Sequence, residues 1–131
     1  PTSCETDFDG EVEDYTITIN DYCSLTATNT NDEYISNVTI GDIDNTSTET
    51  GGYTDYYDTI TPTDLEIGST PSISVTKFWT GTIYNEAISV WIDYNGDGDF
   101  EDAGEFVVDS PASTVAVITE NFATAVPHPP N

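Results

Sequence analysis

Apolar and polar residues alternate strictly from Tyr15 to Ile19: Tyr15, Ile17 and Ile19 are separated by Thr16 and Thr18. A period of two turns one face of a strand toward a core and the other toward water. Similar short runs recur at Tyr34–Ile40, Ser72–Trp79, Ala87–Asp93, Glu105–Asp109 and Thr114–Thr119. In Ser72–Trp79, Ile73, Val75 and Trp79 share a face, and Lys77 falls among them. In Ala87–Asp93, Ile88, Val90 and Ile92 share a face while Trp91 points the other way. β-Branched and aromatic side chains dominate these runs, as a pleated surface prefers. Clusters of Gly, Asn, Asp and Thr separate them at Gly41–Gly52, Thr61–Ser69 and Asn95–Gly104, which read as loops. No ten-residue stretch carries an apolar stripe at helical spacing.

Short strands at regular spacing predict an all-β chain, an antiparallel β-sandwich of Greek-key or jelly-roll-like layout. Three parts are expected: residues 1–20 as an N-terminal connector strand, 21–122 as the sandwich body, and 123–131 as a Pro-rich tail. Proline donates no ladder hydrogen bond, so the tail reads as an extended linker or edge segment. A chain of 131 residues suits one such body.

Charge changes the picture most. Asp and Glu number 25 against a single Lys or Arg, for a formal charge of −24. Salt bridges cannot balance this, so self-repulsion has to be screened by salt or neutralised by bound cations. Nucleic acid is excluded as a partner, because phosphate binding needs Lys and Arg to displace counterions. No apolar run approaches membrane-spanning length, and membrane insertion is not expected. Two cysteines in a chain rich in Thr, Asn and Tyr and lacking Met fit an oxidising, extracellular or cell-surface setting. Short modification signals accompany them: sequons at Asn37 and Asn45, and Thr59 in an Asp-Thr-Ile triplet of the kind glycosylated on exported Bacteroidetes proteins. Catalysis finds little support. The one histidine, His128, lies in the Pro-rich tail, and nothing singles out two carboxylates as an acid–base pair.

The sharpest chemical signal runs from Asp93 to Glu105. Asp93, Asn95 and Asp97 stand at every second position, and Gly98 follows where the chain must turn sharply. Oxygen ligands so spaced wrap a hard cation as the chain curls round it, the chemistry of an EF-hand loop. Asp99 offers its backbone carbonyl, and Asp102 or Glu105 closes the shell. The flanks read as strands and Glu105 stands one position late, so the loop chemistry is expected without the EF-hand fold. Ca²⁺ is the expected ion: oxygen-only donors disfavour zinc, and a flexible many-ligand loop disfavours magnesium. Its role would be to neutralise and stiffen the loop.

Gly10-Glu11-Val12-Glu13-Asp14-Tyr15 resembles the signature of the GEVED domain, a module of secreted proteins of Bacteroidetes and related bacteria. Tyr22-Cys23, the stretch from Tyr34 to Asn45, Gly52-Tyr53-Thr54-Asp55-Tyr56, and Trp91 to Phe100 are similar to further landmarks of that family. The resemblance implies a β-sandwich appended to adhesins, proteases and surface proteins as a non-catalytic accessory. It also implies pairing of Cys4 with Cys23, whose counterparts flank the last and first strands.

In the family the Gly-Glu-Val-Glu-Asp strand comes last, whereas here it precedes the opening at Tyr22. Three arrangements follow. The strand Glu11–Ile19 completes the sandwich of a neighbouring copy or repeat, with Val12, Tyr15, Ile17 and Ile19 as the subunit contact. Alternatively it folds back into its own body, or the chain is a slice of a tandem array. Head-to-tail exchange does not close on itself and would build a filament, its Cys4–Cys23 bridge running between subunits. The function expected is therefore a structural or adhesive calcium-binding module. A glycan-binding or accessory module, with Trp79 or one of Tyr53, Tyr56 and Tyr57 as a stacking platform, is the alternative.

Overall fold

A computed structural model describes residue 27 and residues 29–124. The connector strand, Val12, Tyr15, Ile17, Ile19, Cys4, Cys23 and residues 125–131 of the tail lie outside the described residues. Six strands follow in order: β1 (Glu33–Ile40), β2 (Ile43–Thr46), β3 (Ser72–Trp79), β4 (Glu86–Trp91), β5 (Phe106–Ser113) and β6 (Val117–Asn121). They form an antiparallel β-sandwich, a four-stranded sheet in the order β2-β1-β3-β6 and a two-stranded sheet of β4 and β5. No helix occurs among the described residues.

Alternation decides which face is inward. In β3, Ile73, Val75 and Lys77 are buried and Trp79 is half-buried. Val38 and Ile40 of β1 pair directly with Val75 and Ile73, and Ile118 of β6 pairs with Val75, so all share the inner face. Ile88 of β4 and Val108 of β5 meet them from the second sheet, and Phe122 completes the cluster. Full burial of a Val, Ile or Phe side chain contributes about 1.5–3 kcal/mol. With five apolar residues buried among the described residues, the polar anchors between the sheets carry unusual weight.

Lys77 is the foremost of those anchors. Its Nζ crosses from β3 and donates to the carbonyls of Glu86 (2.7 Å) and Ser113 (2.8 Å), which pair across the outer end of the β4–β5 hairpin. It also lies 5.5 Å from the Trp79 ring centroid, a cation–π distance. The chain's single basic residue thus fastens one sheet to the other.

Two departures from the expected strands have local causes. The stretch Gly41–Gly52 contains β2, read above as loop. Asp44 and Asn45 are poor strand formers and mask the alternation of Ile43 and Asn45 against Asp44 and Thr46. A two-residue turn joins β1 to β2, and its first residue, Gly41, has φ 55°, the left-handed value such hairpins require. β5 continues to Ser113 through Pro111, which sits where the register with β4 shifts and no ladder hydrogen bond is lost.

Candidate metal centre

The loop between β4 and β5 grows from a strand pair that stays closed to its base. Ile92 is half-buried against the core, and its amide donates to the Glu105 carbonyl at 2.9 Å. Glu105 is 2% exposed, the most deeply buried large side chain described. Its carboxylate turns back into the loop: Oε1 accepts from the Tyr94 amide and Oε2 from the Asp102 amide, each at 3.2 Å. Those bonds tie the start of the loop to its end.

Asp93 accepts from two glycine amides, Gly96 at 2.6 Å and Gly98 at 3.0 Å. Both glycines have positive φ, 72° and 92°, which bends the chain round the Asp93 carboxylate. A run of side-chain turns continues the curl. Asn95 Oδ1 accepts from the Asp97 amide (3.1 Å), Asp97 Oδ1 from the Asp99 amide (3.2 Å), and Asp99 Oδ1 from the Glu101 amide (2.8 Å).

The centre of the loop is the Asn95 amide. Its Nδ2 donates to Asp97 Oδ2 at 2.9 Å and to Asp102 Oδ2 at 2.7 Å. Asp97 and Asp102 are thereby gathered on one amide nitrogen, a hydrogen-bond donor and not itself a cation ligand. The loop carries six carboxylates, Asp93, Asp97, Asp99, Glu101, Asp102 and Glu105, and no basic side chain. The donor set therefore fits a hard divalent ion, with the Asn95 amide drawing in the acids that such an ion would hold. Among the described residues no three Asp, Glu, His or Cys side chains converge on a single point. The structure gathers Asp97 and Asp102 about Asn95, places Asp93 and Glu105 on backbone amides at the loop's two ends, and leaves Asp99 exposed.

Trp91 and Phe106 flank this loop on the outer face of the hairpin. Their rings stack at 4.8 Å with an 18° tilt, and each side chain is nearly half exposed. Trp79, by contrast, is not an open platform: its Nε1 is buried without a hydrogen-bond partner. Tyr53 and Tyr57 are exposed and Tyr56 is half-buried. Tyr34, Tyr53 and Tyr56, with Glu33 and Glu49, line a cavity of about 290 Å³. Of the modification candidates, Thr59 lies exposed in a turn. Asn37 Nδ2 is engaged by Asp44 and Thr46, and Asn45 lines an apolar groove.

Sequence reading did not foresee Lys77 as a tie between sheets, nor the Trp91–Phe106 stack. Burial of an isolated lysine inside an apolar alternation was the available sign of the first. The model of one protein family, the GEVED domain, matches residues 87–129, a span that takes in nearly all of β4, the acidic loop, β5 and β6. No curated protein and no solved structure matches the chain.

Proposed function

We propose, from the premise that residues 87–129 are GEVED-domain sequence, that the chain is a non-catalytic, calcium-binding module of an extracellular bacterial assembly. The observation that carries the calcium reading is the pair of carboxylates, Asp97 and Asp102, drawn onto one atom of Asn95 in a loop without a basic side chain. Asp93, Asn95, Asp97, Asp102 and Glu105 would hold the ion, with Asp99 contributing its carbonyl. A bound Ca²⁺ supplies the positive charge that the loop's own residues lack. The protein's residues do the rest: Glu105 and Ile92 hold the base of the loop, and Gly96 and Gly98 let the chain curl.

Titration calorimetry and melting curves test this. Ca²⁺ is expected to give saturable heat that Mg²⁺ does not match. At a hundred times the Kd it should stabilise the fold by about 2.7 kcal/mol, a gain removed by EDTA. Absence of both heat and a chelator effect would overturn the reading.

The assembly is proposed to be a filament or surface array in which Glu11–Ile19 of one copy completes the next, with Cys4 and Cys23 bridging subunits. Support comes from the apolar alternation of that segment and from the unequal sizes of the two sheets. Non-reducing electrophoresis should give a reducible ladder, and negative-stain imaging should give filaments that shorten on chelation. A chain that stays monomeric at high concentration removes the exchange reading.

One further reading has its own observation. The cavity lined by Tyr34, Tyr53 and Tyr56 with Glu33 and Glu49 joins aromatic faces to carboxylate acceptors, a combination suited to sugar hydroxyls. Polysaccharide pull-down abolished by Tyr56→Ala would favour it.

A further inference from the structure

Among the described residues the two sheets differ in width, and the excess width leaves an apolar surface. Ile73 and Val75 of β3 are buried in one cluster with Ile88 and Val108 of the second sheet. On the same inner face, Val38 and Ile40 of β1 and Ile43 of β2 stay half-buried. Over them lies an open groove of about 320 Å³, walled on the far side by Tyr56, Ile60 and Pro62. Among the described residues, none of β4 or β5 lines it, and neither does any charged side chain.

We infer that this groove is the acceptor for the strand Glu11–Ile19 of a neighbouring copy, whose Tyr15, Ile17 and Ile19 seat on Val38, Ile40 and Ile43. The inference rests on the donor-strand reading above and adds the surface that receives the strand. Three observations select this occupant. Tyr15, Ile17 and Ile19 recur at every second position with Thr16 and Thr18 between them, so one face is apolar and the other suits water. The receiving surface is apolar at matching intervals, Val38 and Ile40 alternating along β1 with Ile43 paired to Ile40. Ala27 also stands near Tyr56, one wall of the groove. Ala27 lies against Gly52, where an added Cβ would collide with it, and it lines a cavity together with Tyr56. Ile19 stands eight positions before Ala27. At about 3.3–3.6 Å per residue, that length of chain reaches at most on the order of 29 Å.

Cysteine trapping on the full chain tests the placement. In a background with Cys4 and Cys23 changed to Ser, one preparation carries Ile17→Cys and a second carries Ile43→Cys on the groove floor. A third carries Val117→Cys, an exposed apolar site on the outer face of β6. Asn45→Cys serves as a second groove position, and melting curves confirm that each variant folds. Mixed and oxidised, Ile17→Cys and Ile43→Cys are expected to give a reducible dimer. Its yield should exceed that with Val117→Cys by on the order of 10²-fold, the advantage of a held pair over free encounter. Equal trapping at Val117, or none at Ile43 and Asn45 while filaments still form, overturns the groove and leaves strand exchange standing. Trapping only inside one chain that carries both Ile17→Cys and Ile43→Cys keeps the groove and overturns exchange.

Discussion

The β4–β5 hairpin is held at its two ends by opposite means. At one end the Glu86 and Ser113 carbonyls converge on the Lys77 ammonium. At the other the Tyr94 and Asp102 amides converge on the Glu105 carboxylate. Both side chains are almost fully buried, Lys77 at 5% and Glu105 at 2% exposure. A buried charge has to be repaid by hydrogen bonds to its charged form, and each end meets that demand with backbone groups. The ends differ in what surrounds the charge. Lys77 is the one cation in a field of carboxylates and stands beside the Trp79 ring. Glu105 shares its loop with five other acids and no base. The first end is complete within the chain, and the second improves with each positive charge brought to it.

The largest effect is expected from breaking the Lys77 end. Lys77→Met strands two inward carbonyls and removes their cation, which should cost about 3 kcal/mol in urea unfolding. The loss should be equal in calcium and in EDTA, since this end needs no metal. Glu105→Ala comes next. It leaves the Tyr94 and Asp102 amides without their acceptor and should cost about 2 kcal/mol even in EDTA, with a further loss in calcium. Asp102→Asn separates charge from hydrogen bonding, because the amide oxygen can still face Asn95. Calcium affinity should fall about tenfold, or about 1.4 kcal/mol by calorimetry, while the melting point in EDTA holds or rises.

The smallest effect belongs to Glu33, at the Lys77 end of the molecule. Burial chiefly, and then the negative charges of Glu86 and Asp32, hold its carboxyl above the ordinary value of 4.5. A raised value means that the folded state favours the protonated acid. The stabilisation is therefore full below the ordinary value and disappears as pH rises through the folded one. Glu33→Gln should accordingly melt slightly above the parent chain at neutral pH, and the gap should close as the solution is acidified past 4.5. A gap that widened on acidification would mean that Glu33 is held by a partner instead of repelled.

Much of the sandwich could be read from alternation alone. Ser72–Trp79 was bounded correctly, and its inward set of Ile73, Val75 and Trp79 stands as expected. The acidic loop was equally plain, because Asp93, Asn95 and Asp97 at every second residue followed by Gly98 form a local pattern. Less legible was β2, since Asp44 and Asn45 disguise a strand whose pairing with β1 is what stabilises it. Trp79 was offered as a stacking platform although it shares the face of Ile73 and Val75, whereas Trp91 was read on the face opposite Ile88 and Val90 and is exposed there. Packing adds that the Trp79 Nε1 is buried and that the Trp91 ring stacks on Phe106.

Local order thus determined the all-β class and the strand faces, and it carries the acidic pattern of the Asp93–Glu105 loop. These depend on periodicity, charge count and donor type, which a linear chain already carries. The tertiary structure alone decided which groups meet. It placed Lys77 beneath the carbonyls of Glu86 and Ser113 and drew Asp97 and Asp102 onto one amide. It also left Val38, Ile40 and Ile43 without a covering strand from β4 or β5. Contacts between residues far apart in the chain depend on how two sheets of unequal width stack, and no local pattern specifies that.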